Sequence, residues 1–150
     1  MIYKLYTDGS CNQGSTSLMT NGGWSYLIVE GEDKILIEDS SKEINTTNNK
    51  CEMMAVINGI KKFTELGYDK ELNVYCDSAY VVNAFKDAWI DKWVKNGWIT
   101  SSGGDVLNKE YWLQLIELVK NNKVKFNKVK RNSNPFSKKA DTLARTKMKA

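Results

Sequence analysis

Short apolar runs and alternating stretches fill the first forty residues, and after Asn49 the hydrophobic period lengthens to that of a helix. Ile2–Asp8 predicts a strand ending at Asp8-Gly9-Ser10. A polar loop from Asn12 to Asn21 leads through Gly22-Gly23 into a second strand, Trp24–Glu30. The turn Gly31-Glu32-Asp33 and the alternation of Lys34–Ser41 predict a third, and the three together suggest an antiparallel meander. Beyond Asn49, Met53, Val56, Ile57, Ile60, Phe63 and Leu66 recur at helical spacing, with Gly67 as the stop. Leu72–Asp77 reads as a short apolar strand running straight into a helical segment, Ser78–Phe85. Ala88–Trp98 is rich in tryptophan with interspersed lysines, and a Ser-Ser-Gly-Gly loop follows at 101–104. Asn108–Val119 predicts a helix, Val124–Val129 a last strand, and Pro135–Lys147 a closing helix with proline near its start, where it is tolerated. The order βββαβααβα predicts an α/β domain with a mixed sheet covered by helices. No repeat or linker-like stretch breaks it, so one domain over residues 1–150 is expected.

Composition narrows the function more than the fold. Hydrophobic residues at 41% and charged residues at 27% are those of an ordinary globular chain. The net charge of +4 is a weak pointer to a polyanion, and a merely soluble surface explains it as well. Three cysteines, Cys11, Cys51 and Cys76, are odd in number and form no CxxC pair, which argues against a disulfide framework and for a reducing compartment. Neither a signal-peptide pattern nor an apolar stretch of membrane-spanning length is present, so a soluble cytoplasmic protein is expected. The chain has no histidine. That removes the commonest zinc ligand, the usual general base, and every Ser-His or Cys-His nucleophile system.

Four carboxylates stand out against this background. Asp8 taken alone is the start of an Asp-Gly turn. Asp77 lies where a strand turns into a helix that Ser78 can cap, the position at which open α/β sheets bind ligands. Glu52 shares the buried side of its helix with Val56 and Phe63, an orientation the helix dipole does not require. Asp141 edges the apolar face made by Phe136, Ala140, Leu143 and Ala144, which is ordinary for an acid. The combination is what signifies. Carboxylates that converge in a fold repel one another unless a cation compensates them. Oxygen ligands without histidine or paired thiolates select Mg²⁺ or Mn²⁺, and two such ions about 3.5–4 Å apart can clamp a phosphodiester.

At this point the chain resembles the ribonuclease H family, type 1. The motifs are Tyr6-Thr7-Asp8-Gly9-Ser10-Cys11, Thr46-Thr47-Asn48-Asn49-Lys50-Cys51-Glu52, Tyr75-Cys76-Asp77-Ser78 and Ala140-Asp141-Thr142-Leu143-Ala144, and the likeness spans nearly the whole chain. The resemblance implies the ribonuclease H-like fold, a five-stranded mixed sheet with three antiparallel and two parallel strands, flanked by helices. It implies an endoribonuclease that hydrolyses the RNA strand of RNA–DNA hybrids, leaving 5′-phosphate and 3′-hydroxyl ends. Asp8, Glu52, Asp77 and Asp141 become the catalytic residues and the ligands of two Mg²⁺ ions, with Mn²⁺ as a substitute. Gly9, Ser10, Thr47, Asn48, Asn49, Trp89, Trp93 and Asn108 become substrate contacts. Among them Asn48 and Asn49 resemble the segment that reads the minor groove, where ribose 2′-hydroxyls distinguish RNA from DNA. Thr47 and Asn108 resemble parts of a DNA-phosphate pocket, and a helix-cap role for Thr47 can coexist with that. Trp89, Trp93 and Trp98, with Lys92, Lys95 and Asn96-Gly97, resemble a handle that grips the DNA strand, although packing explains some of the rings. The partner implied is an RNA–DNA hybrid, bound by a monomer, with no membrane involved.

Three departures from the family pattern qualify this reading. The usual histidine in a loop before the last carboxylate is missing, and the loop Lys130-Arg131-Asn132-Ser133-Asn134-Pro135 is one residue shorter. Arg131, Asn132 and Asn134 are the candidates to replace it, but none shuttles a proton near neutral pH, so slower turnover is expected. The loop after Cys11 is longer than usual, and Ala79 stands where glutamine is common. Lys120, Lys123, Lys125, Lys128, Lys130 and Arg131 form a second basic run, for which a solvated face is the plainer account. Two alternatives remain in view: an integrase-like nuclease or strand-transfer enzyme on the same fold, and a hybrid-binding module without catalysis.

Overall fold

The computed structural model describes residues 1–12, 20–130 and 132–150. A five-stranded sheet runs in the order β3-β2-β1-β4-β5, from β1 (Tyr3–Cys11), β2 (Thr20–Glu30), β3 (Lys34–Thr46), β4 (Leu72–Cys76) and β5 (Val124–Lys128). The first three strands pair antiparallel, whereas β4 lies parallel to β1 and β5 parallel to β4. That is the mixed sheet of three antiparallel and two parallel strands expected above.

Alternation along the strands sorts the core into two layers. Tyr3, Leu5, Val74, Cys76 and Phe126 face one side. There they meet α1 (Asn48–Glu65), α2 (Ala79–Lys86) and α4 (Lys109–Asn121), whose Phe63, Ile60, Val81, Trp112 and Leu115 complete the larger cluster. Tyr6, Leu27 and Val29 face the other side, covered by α5 (Pro135–Lys149) through Ala140, Phe136 and Leu143. The α1 helix forms as its period predicts. Thr47 caps it by accepting from Lys50 N at 3.2 Å, and Gly67 at φ +86° lets the chain leave it.

Two parts of the architecture go beyond the sequence reading. A third helix, α3 (Trp89–Asn96), occupies part of the tryptophan-rich stretch to which no element was assigned. Trp89, Ile90, Trp93 and Val94 do recur on it at helical spacing, but over eight residues, a window too short to set a helical period apart. The β2–β3 pair also runs further than the alternation suggests, from Thr20 and on to Thr46. Gly22, Gly23 and the polar stretch from Ser40 to Glu43 are held there by ladder hydrogen bonds rather than by burial of their own side chains.

Candidate active site

Sheet register brings the first two carboxylates together. The parallel pairing of Tyr3 with Leu72 and of Tyr6 with Tyr75, continued two residues, sets Asp8 beside Asp77 just past the end of β4. The β1 strand itself runs on to Cys11 in its pairing with β2, so Asp8 lies within the strand and not at the strand end or turn the sequence suggested. The α1 helix supplies Glu52 from its second turn. Its backbone passes so near β1 that a Cβ on Gly9 would lie 2.5 Å from Glu52 N. Ligand oxygens of Asp8, Glu52 and Asp77 all fall within 4.8 Å of one another, with Asp8 and Glu52 buried and Asp77 half-buried. Asp141 approaches from the opposite layer, on α5, and is also buried. It stands outside that tight group but lines a narrow cavity with Thr7, Asp8, Asp77, Val129, Lys130 and Ser137. Its Oδ2 accepts from Arg145 Nη2 at 2.7 Å, and its Oδ1 has no hydrogen-bond partner among the described residues. Three converged acids, a fourth across a cavity, and oxygen as the donor throughout suit hard divalent cations.

The neighbouring thiols are packing groups. Cys51 and Cys76 are fully buried, and burial pushes the Cys51 thiol up to about 12 and Cys76 well above its ordinary value. Both should therefore resist thiol reagents in the folded protein and react on denaturation, while half-buried Cys11 reacts at an intermediate rate. Fast labelling of all three without unfolding would contradict this. Because folding raises the Cys51 value from 9.0, the stability it contributes is complete below pH 9 and lost as pH rises towards about 12. Cys51→Ala should accordingly flatten the alkaline limb of a stability–pH curve.

The expected substrate contacts lie on several elements. Gly9 and Ser10 continue β1 past Asp8. Asn48 and Asn49 open α1 directly after the Thr47 cap. The Thr47 hydroxyl accepts from Lys50 N and keeps its own O–H to donate. Asn108 adopts a left-handed conformation at φ +62°, and its Nδ2 donates to the Tyr80 hydroxyl at 3.2 Å. Trp93 is the hub of the handle, its ring 6.3 Å from Trp89, 6.0 Å from Trp98 and 5.4 Å from fully buried Trp112. Trp89 and Trp93 also line a groove of about 360 Å³ with Lys92, Asn96, Ile99, Thr100 and Ser101. The handle's rings thus both pack the fold and face a groove.

Of the proposed replacements for the histidine, Arg131 lies outside the described residues. Asn132 is exposed at φ +60°. Asn134 is occupied as the α5 cap, accepting from Phe136 N at 3.0 Å and Ser137 N at 2.9 Å while donating to Ser137 Oγ at 3.0 Å. Asn134→Ala should therefore cost about 1 kcal/mol of stability, with Asn134→Asp restoring most of it. A denaturant midpoint unchanged by alanine would contradict the cap. Sequence reasoning missed the Asp141–Arg145 pair, whose i,i+4 spacing was its signal. It also left Ser137 out of the site, and nothing in the local pattern marks that residue.

The chain is similar to known proteins over nearly all its length. The family model described as RNase H matches residues 2–149. A ribonuclease H of Thermoanaerobacter sp. (strain X514) is 39% identical over 150 residues, covering 99% of this chain and 90% of the relative. One from Caldicellulosiruptor saccharolyticus is 41% identical over 147 residues, covering 97% and 94%. Among solved structures, LC11-RNase H1 in complex with an RNA/DNA hybrid superposes with a TM-score of 0.74 at 21% identity, covering 98% of this chain and 96% of that one. LC9-RNase H1 superposes at 0.83 and 23%, covering 97% and 71%.

Proposed function

The chain belongs to the ribonuclease H family, and from that premise we propose that residues 1–150 form one catalytic domain that hydrolyses the RNA strand of RNA–DNA hybrids with Mg²⁺. It is a metal-dependent endoribonuclease by family. The convergence of Asp8, Glu52 and Asp77 within 4.8 Å carries the site assignment. These three carboxylates would hold one ion, and Asp141 with Asp8 would face a second across the narrow cavity, with Mn²⁺ as a substitute. When bound, the ions supply Lewis acidity at the phosphate and make water nucleophilic at neutral pH.

The residues around the acids orient the strands. Asn48 and Asn49 present amides where ribose edges would lie, and a 2′-hydroxyl there offers both a donor and an acceptor. Thr47 and Asn108 would hold a DNA phosphate. Tyr80 fixes the Asn108 amide. Trp89 and Trp93 offer ring faces to a deoxyribose in the adjoining groove, and the backbone of Gly9 and Ser10, next to Asp8 on β1, would contact the RNA strand. The products would be 5′-phosphate and 3′-hydroxyl ends. No helix among the described residues is long and apolar enough to cross a membrane, and we take the protein to act in the cytoplasm as a monomer.

The test is incubation with labelled RNA–DNA hybrid, double-stranded RNA and duplex DNA, each with Mg²⁺ or chelator. The hybrid's RNA should be cut, and only with metal. Cutting or joining of duplex DNA would favour an integrase-like enzyme. Tight hybrid binding without any cleavage would favour a binding module.

A further inference from the structure

We propose that Lys130, together with Lys128, clamps the RNA-strand phosphate next to the scissile one. This deepens the hybrid-cleavage reading and rests on it. Lys128 ends β5 opposite Cys76, and Val129 N donates to Cys76 O at 3.0 Å, so the parallel ladder continues one residue past the strand. That extension sets Lys128 and Lys130 on either side of Val129, level with Asp77. By strand alternation the two lysines share a face. Lys130 lines the narrow cavity with Asp8, Asp77 and Asp141. With Lys128, Val129 and Asp77 it also lines a wider groove of about 430 Å³. With Asp77 and Val129 it therefore forms the wall common to the acid site and the groove beside it.

The chemistry of the two spaces differs. The acids suit cations, so a phosphate at the acid site would be neutralised by metal. A phosphate in the neighbouring groove would meet two ammonium groups against the single carboxylate of Asp77, which the metal site would neutralise. Each lysine offers three donors on a flexible stem and acts as a compact point charge. The groove exceeds the roughly 300 Å³ lower bound of small-molecule sites, which leaves room for a nucleotide unit. Because it is continuous with the acid site through Lys130, the strand it would follow is the one being cut. In a chain with no histidine, these lysines are also the cations that line the cavities beside the acids among the described residues.

Hybrid binding is measured against salt concentration with Asp8→Asn as the cleavage-deficient parent. Lys130→Ala and Lys128→Ala should each lower the slope of log affinity against log salt by about 1, as loss of one phosphate contact requires, and Lys130→Arg should keep it. A single uncharged methylphosphonate beside the scissile position of the RNA strand should weaken the parent and leave Lys130→Ala unaffected. In the cleaving protein, the double alanine variant should raise KM about tenfold with kcat within about threefold. Unaltered slopes, or coupling to a phosphate of the DNA strand instead, would overturn the clamp. If the unmutated chain still cuts the hybrid in that case, the family reading stands; if it cuts nothing, both fall together.

Discussion

Asp8→Asn should abolish hybrid cleavage while leaving hybrid binding measurable. Asp8, like Asp77, belongs to both groupings, lying within 4.8 Å of Glu52 and Asp77 and lining the cavity that Asp141 faces. Asparagine keeps its shape and removes its charge, so both proposed ion positions lose a ligand at once. Loss of an outer partner alone typically costs 10–100-fold in metal-site function, and loss of this ligand should cost more than about 100-fold. Binding survives because the proposed strand contacts on α1, α3, the Asn108 turn and β5 do not use the Asp8 carboxylate. The same change should act on stability in the opposite sense. Three charged carboxylates this close repel, and at 4.8 Å with an effective dielectric of about 20 each pair costs roughly 3.5 kcal/mol. In chelator the variant should therefore unfold at a higher temperature than the parent. Added Mg²⁺ should raise the melting temperature of the parent by mass action and that of the variant much less. Robust cleavage by the variant, or a parent that Mg²⁺ does not stabilise, would remove the metal assignment.

How much of this was legible in the sequence depended on whether a residue's role is local. The α1 helix could be read from Met53, Val56, Ile57, Ile60 and Phe63 because burial on one face imposes a period. Glu52 was conspicuous for the same reason, as a charge on the side that period marks for the interior. The α3 helix was missed because its repeat of Trp89, Ile90, Trp93 and Val94 spans only eight residues, shorter than the window over which a helical period is read. The far half of β3 was illegible because its polar residues owe their conformation to β2 and not to themselves. Asp77 could be placed at a strand end, whereas Asp8 was read at one and lies inside β1. The adjacency of the two is a property of the β1–β4 register, which joins segments nearly seventy residues apart. Asp141 looked like an ordinary edge acid for a related reason: its burial depends on packing of α5 against β1 and β2. Lys130 looked like one member of a solvated basic run until the extended β5 ladder set it beside the acids.

Gly9→Ala should damage both stability and cleavage, through one added methyl group. The cause is distance rather than backbone conformation. A Cβ on Gly9 would lie 2.5 Å from Glu52 N, 2.7 Å from the Cys51 carbonyl carbon and 3.0 Å from Cys51 Cβ. Two of these three are backbone atoms of α1, which no side-chain rotation can move aside. The helix as a body must retreat from β1, and Glu52 retreats with it from Asp8 and Asp77. Overpacking of a close-fitted interface costs typically 1–3 kcal/mol, and this contact belongs at the upper end. A displacement of about 1 Å at a reacting centre can cost 100-fold in rate, so cleavage should fall by about that factor with weaker stabilisation by Mg²⁺. Two other glycines separate this cause from general loss of fold. Gly59→Ala meets only the Leu5 side chain, at 2.6 Å and 2.7 Å, so it should cost stability while largely sparing kcat. Gly104→Ala meets nothing nearer than Thr100 Oγ1 at 3.7 Å and should change neither. Denaturant midpoints and kcat measured for all three decide the matter. If Gly9→Ala loses no more activity per unit of lost stability than Gly59→Ala, then close approach of α1 to β1 does not set the position of Glu52.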